Sequence, residues 1–270
     1  MKLRNIQRFI PKAALPQLRE VYFQAENYFR FGDRHFIRDI ALETSAACNR
    51  SCHYCPQSVL PMKQKLVEWD VVECFAHRIR ELEWTGTVNF HFYNEPLLNP
   101  KLRDIVECVT RANPQCKPQI FTNGDRLTED VMLQFFAAGL QNFVVSRHIP
   151  FSDKWDNRIF SLIKKYPNQI SLYQPEDHVW KNRGGLMKDL PGKNGLYHAK
   201  TCNAPAYVNI TIAGQVLLCC CDYKKDYVVG DIKKQSFMEI WNDAKFKQLR
   251  RDILNGKFET PLCKACTETE

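Results

Sequence analysis

From Phe36 onward, short apolar runs alternate with longer stretches whose apolar residues recur at helical spacing. FIRDIALE gives way to EWDVVECFAHRIREL, VNFHFY to NPKLRDIVECVTRAN, QIFT to LTEDVMLQFFAAG, and NFVVS follows. Period-2 runs bounded by polar turns predict strands, and period-3.6 stretches predict amphipathic helices. The helix limits have local causes. Asn99 before Pro100 predicts a cap with proline at the first helical position, Thr128 predicts a cap for EDVMLQFF, and Gly139 predicts a left-handed stop. The alternation predicts an α/β protein with parallel strands, right-handed crossovers, and a site at the carboxyl ends of the strands.

Residues 1–35 predict a separate helical extension, with Leu15, Leu18, Val21 and Tyr22 at helical spacing and Gly32 near its end. Residues 36–190 carry the β/α rhythm. In residues 191–270 the pattern changes to AYVNITIAGQVLLCCC, two strands around a hairpin at Ala213-Gly214-Gln215. Two short helices follow, one opened by Ser236 and one closed by Gly256, and then CKAC near the end. No low-complexity linker separates the parts, which predicts that the last module packs tightly on the one before it.

A length of 270 residues with 44% hydrophobic and 25% charged residues suits a folded chain with one full core and a small second module. No apolar run reaches the roughly 18 residues of a membrane span, and charges interrupt the start MKLRNIQRFIPKAALPQLRE. The expectation is a cytoplasmic protein without membrane or nucleic-acid partners. The net charge of +8 lies in lysine and arginine pairs scattered among acidic neighbours and not in one basic stripe. Twelve cysteines at short spacings in a reducing compartment point to metal or catalysis before disulfides.

CNRSCHYC places Cys48, Cys52 and Cys55 directly behind the first strand-like run. Three thiolates leave a tetrahedral zinc one ligand short, and His53, wedged between two of them, makes a strained fourth. A four-iron cubane tolerates three protein ligands if one iron is kept for something else.

The loop resembles that of the radical S-adenosylmethionine (SAM) enzymes, whose C-x3-C-x-aromatic-C spacing is matched by Cys48, Cys52, Tyr54 and Cys55. FYNEPLL, FTNG and VSRH, each ending a predicted strand, are similar to further marks of that family. The resemblance implies a partial (β/α)6 barrel and a [4Fe-4S] cluster whose unique iron binds SAM. It implies one-electron cleavage of SAM to a 5′-deoxyadenosyl radical that abstracts hydrogen from substrate, and an external one-electron reductant such as flavodoxin or ferredoxin. As cofactor-binding residues it implies Tyr54, Asn94, Glu95, Thr122, Asn123, Ser146 and Arg147. Tyr93-Asn94 stands where the family carries glycines.

The last module, with Cys202, Cys219 five residues after Gly214, and the closing Cys263 and Cys266, resembles the α+β auxiliary-cluster module called Twitch, related to SPASM. Its four thiolates would fill every iron of a second [4Fe-4S] cluster; a four-cysteine zinc knot, which would be colourless, is the rival. In the triplet Cys219-Cys220-Cys221, strand alternation sends the outer two to one face and Cys220 to the other. Cys219 is the expected ligand and Cys220 the alternative. Cys220 or Cys221 could instead donate a hydrogen atom to a substrate radical. Cys74, Cys108 and Cys116 are expected to be packing residues.

From about Ile40 to Cys266, leaving only the N-terminal extension uncovered, the chain resembles the Twitch-bearing dehydrogenases of aminoglycoside biosynthesis, of the type that oxidises an alcohol of 2-deoxy-scyllo-inosamine. That implies a small polyol, aminocyclitol or sugar-like substrate, with dehydrogenation if the auxiliary cluster takes the electron and epimerisation if a thiol returns a hydrogen. A peptide-modifying maturase is the alternative. By the same resemblance Arg183 in KNRGG faces the substrate hydroxyl. A guanidinium stays protonated, so it serves better as a hydrogen-bond donor to a developing ketyl oxygen than as a base.

Overall fold

The computed structural model describes residues 15–148, 152–174, 182–187 and 200–267. It divides into two units, 1–38 and 39–270. In the first, helix α1 (Leu15–Phe31) is followed by Gly32 at φ +70°. Phe31 stacks on Phe36 with ring centroids 3.9 Å apart, and Arg38 pairs with Glu20. The expected stripe Leu18, Val21 and Tyr22 is exposed, so here the apolar periodicity marks an outward face.

The second unit is built on β1 (Asp39–Leu42), β2 (Thr87–Asn89), β3 (Lys117–Thr122), β4 (Asn142–Ser146) and β5 (Ile170–Tyr173), all parallel. Between them run α2 (Trp69–Glu81), α3 (Leu102–Ala112), α4 (Glu129–Ala137) and α5 (Asp153–Lys165). Ile40, Leu42, Val88, Ile120, Phe143 and Val145 are buried on the sheet, as are Val72, Phe75 and Ile79 of α2 and Ile105, Val106 and Val109 of α3. Thr128 accepts from the Val131 N–H at the start of α4. Ser152 does the same for Trp155 at α5, which the sequence reading passed over, as it did β5.

Two expected boundaries moved. VNFHFY keeps strand pairing only to Asn89, because the Asn94 side chain captures the Phe92 N–H and turns the chain. Asn99 does not cap α3, which begins at Leu102. Its Oδ1 accepts from the Lys101 N–H while its Nδ2 donates to the Thr44 carbonyl, fixing the loop after β1.

The last module contributes β6 (Tyr207–Ile210), β7 (Gln215–Leu217) and β8 (Val228–Asp231), then α6 (Phe237–Asn242), α7 (Ala244–Leu254) and α8 (Pro261–Thr267). Ser236 closes a reciprocal capping box with Glu239. The sheet order is β5-β4-β3-β2-β1-β6-β7-β8. The sixth parallel strand is therefore β6, which pairs with β1 and comes from the C-terminal module. That pairing makes one continuous sheet of barrel and module. The boundary expected near residue 190 lies outside the described residues. No helix among them is long and apolar enough to cross a membrane.

Asp39 sits on one sheet face with Asn89 and Gln119: Asn89 Nδ2 donates to Asp39, and Gln119 Nε2 donates to Asn89 Oδ1 at 2.6 Å. Burial pushes the Asp39 carboxyl up to about 7, against the opposing hydrogen bond from Asn89. A carboxyl raised above its unfolded value stabilises the fold below the unfolded pKa and loses that contribution as pH rises through the folded one. Asp39→Asn is therefore expected to leave the melting temperature nearly unchanged at about pH 3, below the unfolded carboxyl's pKa. At pH 8 it should raise stability by about 2 kcal/mol, read from denaturation curves at the two pH values. Equal shifts at both pH values would contradict this account.

Candidate functional site

The cysteine loop is built outward from the end of β1. Residues 44–47 are clamped by the segment that follows the loop. Ala46 N–H donates to the Lys65 carbonyl, Ala47 N–H to Gln64 Oε1, and Ser45 bridges Leu66. Buried Gln57 donates to the carbonyls of Ala46 (2.7 Å) and Tyr93 (2.8 Å) and accepts from the Met62 N–H. Within the loop, Cys55 N–H donates to the Cys52 carbonyl and Arg50 N–H to the Cys48 sulfur.

These constraints place Cys48, Cys52 and Cys55 in the wall of a cavity of about 310 Å³. Tyr54, Asn94, Glu95, Thr122, Asn123 and Ser146 line the same cavity, as do Arg183 and Cys220. Six of the seven residues expected to bind a cofactor are thus gathered at one place. Arg147 is the correction: alternation along β4 turns Ser146 to the cavity and Arg147 away, where it pairs with Asp156 through two hydrogen bonds of 2.9 and 2.6 Å.

Glu95 organises the strand ends. Its carboxylate accepts from Thr122 Oγ1 (2.6 Å), Asn123 N–H (2.7 Å) and Leu97 N–H (3.1 Å). Burial nonetheless pushes it up to about 7. Gly124 then turns at φ +75°, where a Cβ would lie 2.9 Å from Val145.

Residues that the sequence reading did not single out tie the cysteine loop to β3 and β4. Arg50 forms a bidentate pair with Asp125 and donates to the His148 carbonyl, Asn123 donates to Asn49, and Tyr54 hydrogen-bonds His148. Burial, aided by Arg50, lowers His148 to about 4, and burial alone does so for His91, which faces Phe121 in the cavity. Both imidazoles are neutral at pH 7. Arg50, Asp125 and His148 fall inside or beside the quoted motif strings; their pairing is what one sequence could not reveal.

A second cavity is lined by Cys202, Cys219, Cys221, Cys263 and Cys266 with Ala204, Leu218, Ile253 and Phe258. The triplet lies past the end of β7, in a turn where Asp222 N–H reaches the Cys219 carbonyl. Cys219 and Cys221 share one cavity and Cys220 faces the other. This corrects the placing of Cys221 on the substrate side: its sulfur is 3.9 Å from that of Cys266.

Tyr93 joins the two sites, lining the first cavity while its hydroxyl donates to the Cys220 carbonyl at 2.6 Å. Arg183 (φ +52°) lies 5.8 Å from the Tyr93 ring centre. Its short segment is clipped to the last module. Asn182 donates to the Ala265 carbonyl at 2.7 Å, and a Cβ on Gly184 would meet Leu262 at 2.4 Å. Burial works against the Arg183 charge, but neighbouring Tyr93, Cys221, Cys220 and Cys55 more than offset it, so the guanidinium stays protonated. Its Nε is buried without a hydrogen-bond partner among the described residues. Of KNRGG, Lys181 lies outside them.

The donor set fits iron–sulfur clusters. Burial raises the thiols of Cys48, to about 11, and of Cys52 and Cys55, so these groups become thiolates only beside added positive charge. Among the described residues no three His, Cys, Asp or Glu side chains converge tightly enough to hold a single ion. The thiols stand around cavities, as ligands on separate irons of a cubane do.

A radical SAM superfamily model matches residues 42–165, and a model described as an iron–sulfur cluster-binding domain (SPASM) matches residues 202–267. An S-adenosyl-L-methionine-dependent 2-deoxy-scyllo-inosamine dehydrogenase from Niallia circulans is 32% identical over 231 residues, 84% of this chain and 91% of that protein. The structure of BtrN with AdoMet and 2-DOIA matches at TM-score 0.77 with 30% identity, covering 85% of this chain and 92% of that one. BtrN in an open conformation matches at TM-score 0.66 with 27% identity, covering 86% and 92%.

Proposed function

From the premise that the chain belongs to the radical SAM superfamily, as one of its enzymes with an iron–sulfur-binding C-terminal domain, we propose that it dehydrogenates an alcohol of a small aminocyclitol. Cys48, Cys52 and Cys55 would hold a [4Fe-4S] cluster that binds SAM, and four of the C-terminal cysteines a second one. When bound, these groups supply hydrogen abstraction from a carbinol carbon and an acceptor for one electron. The protein supplies position and charge. Asn94, Ser146 and Asn209 offer neutral hydrogen-bonding groups to a hydroxylated ring. Buried Tyr93 and half-buried Phe121 add apolar surface to the same cavity.

The observation that carries this reading is Arg183, a half-buried cation whose buried Nε–H has no hydrogen-bond partner among the described residues, in the cavity of the three-cysteine loop beside the Tyr93–Cys220 contact that adjoins the second thiol set. Fixed donors aimed at a carbinol oxygen favour the charge that develops as its proton leaves. The dehydrogenase named above, matched over most of both chains, supports this reading over peptide modification.

Arg183→Ala is expected to lower ketone formation by about 100-fold, the typical loss of one oxyanion donor, and Arg183→Lys to recover only part of it. Both variants should keep their iron and their substrate-independent SAM cleavage. Product analysis with an aminocyclitol panel checks this, and full turnover in both variants would remove Arg183 from the site.

A further inference from the structure

Directly outside the cysteine loop lies a surface that the chemistry above does not use. Val59 and Leu60 are 57% and 48% exposed, and Pro61, Lys63 and Lys65 beside them are also exposed. The backbone beneath them is held from inside. Gln57 grips Met62, Lys65 and Gln64 are bonded to Ala46 and Ala47, and the Tyr223 hydroxyl donates to the Leu60 carbonyl at 2.5 Å. The residue after Tyr223 is exposed Lys224. Between Glu43 and Glu68 the chain contains no acidic residue, and its one buried-side cation, Arg50, is already paired with Asp125. The exposed charge from Val59 to Lys65 is therefore positive, with Lys63 and Lys65 beside apolar Val59 and Leu60, and the first exposed acidic residue after them is Glu68.

We propose that this face, Val59 to Lys65 with Lys224, is the docking surface for an acidic one-electron carrier protein. The inference rests on the radical SAM reading, which requires that one electron enter at the three-cysteine site. The carrier loses that electron and the metal site gains it, with no other bond made or broken. Three features point to this occupant. The charge is complementary to an acidic protein. The apolar centre with a basic rim has the composition of a small transient interface. The surface also begins four residues after Cys55, joined to it by the turn in which Ser58 N–H donates to the Cys55 carbonyl, and electron transfer weakens steeply with distance.

The test uses the anaerobic holoenzyme with a reduced flavodoxin as probe, a ferredoxin in a second arm, and dithionite as a reductant that needs no docking. Lys63→Glu/Lys65→Glu and Val59→Asp/Leu60→Asp are expected to weaken flavodoxin binding at least tenfold. They should slow flavodoxin-driven 5′-deoxyadenosine formation by a similar factor and leave dithionite-driven formation unchanged. Binding to the unmodified enzyme should weaken with salt, and less so for the lysine variant. Lys154→Glu/Lys164→Glu on α5 serves as the control and should change neither. Variants that bind like the unmodified enzyme, a control pair that weakens binding equally, or parallel loss of both activities would each overturn the docking surface. Failure of dithionite to drive SAM cleavage in the unmodified enzyme would overturn the radical SAM reading itself, and with it this proposal.

Discussion

Cys52→Ala is expected to abolish SAM cleavage, by at least about 10³-fold, and to lower the iron of the reconstituted protein from about eight atoms per chain to about four. Among Cys48, Cys52 and Cys55, it is the best substitution for isolating the metal from the fold. Cys52 contributes its backbone carbonyl to the turn that carries Cys55, and Gln57, Ala46 and Ala47 hold the loop through groups the substitution leaves in place; only the thiol's hydrogen bond with Tyr54 is lost. The apoprotein should therefore melt within about 1 kcal/mol of its unmodified counterpart, the scale of a small truncation that loses one weak thiol hydrogen bond. Iron and sulfide analysis, low-temperature electron paramagnetic resonance and chromatography of 5′-deoxyadenosine measure the three quantities. Iron content and SAM cleavage at the unmodified level would remove the cluster from this loop.

That loop was legible in the sequence because its chemistry is local. Three thiols in eight residues constrain what can bind whatever the rest of the chain does. The strand ends were legible for a similar reason, since periodicity places FYNEPLL, FTNG and VSRH at the carboxyl side of parallel strands. What remained hidden is pairwise and tertiary. Nothing in one sequence says that Arg50 and Asp125 meet, that Tyr54 reaches His148, or that Arg147 turns from the cavity toward Asp156. The sixth parallel strand was hidden too. β6 reads as half of a hairpin, and its hairpin partner β7 is correct, but its other edge pairs with β1 from the opposite end of the chain. In α1 the helical spacing was right, yet the stripe it defines faces outward.

The cysteine triplet puts five thiols around a site that four would fill, and the sulfur positions separate their roles. Cys221 and Cys266 stand 3.9 Å apart, close to contact, whereas thiolates on different irons of one cubane are held further apart than that. Cys219 lines the same cavity, at the spacing from Gly214 seen in the family, and we assign it as the fourth ligand beside Cys202, Cys263 and Cys266. Cys219→Ala is then expected to remove about four irons and to lower ketone yield by about 100-fold or more, because the last electron has no acceptor. SAM cleavage should continue at the N-terminal site, uncoupled from product. Cys221→Ala should keep its iron and most of its activity; if instead it loses iron while Cys219→Ala does not, the assignment passes to Cys221. Cys220→Ala decides between the two fates of the substrate. Cys220 lines the first cavity, so loss of an epimer with SAM cleavage intact would mark it as a hydrogen-atom donor. Unchanged ketone formation, the expected result, leaves the auxiliary thiols as the electron's route.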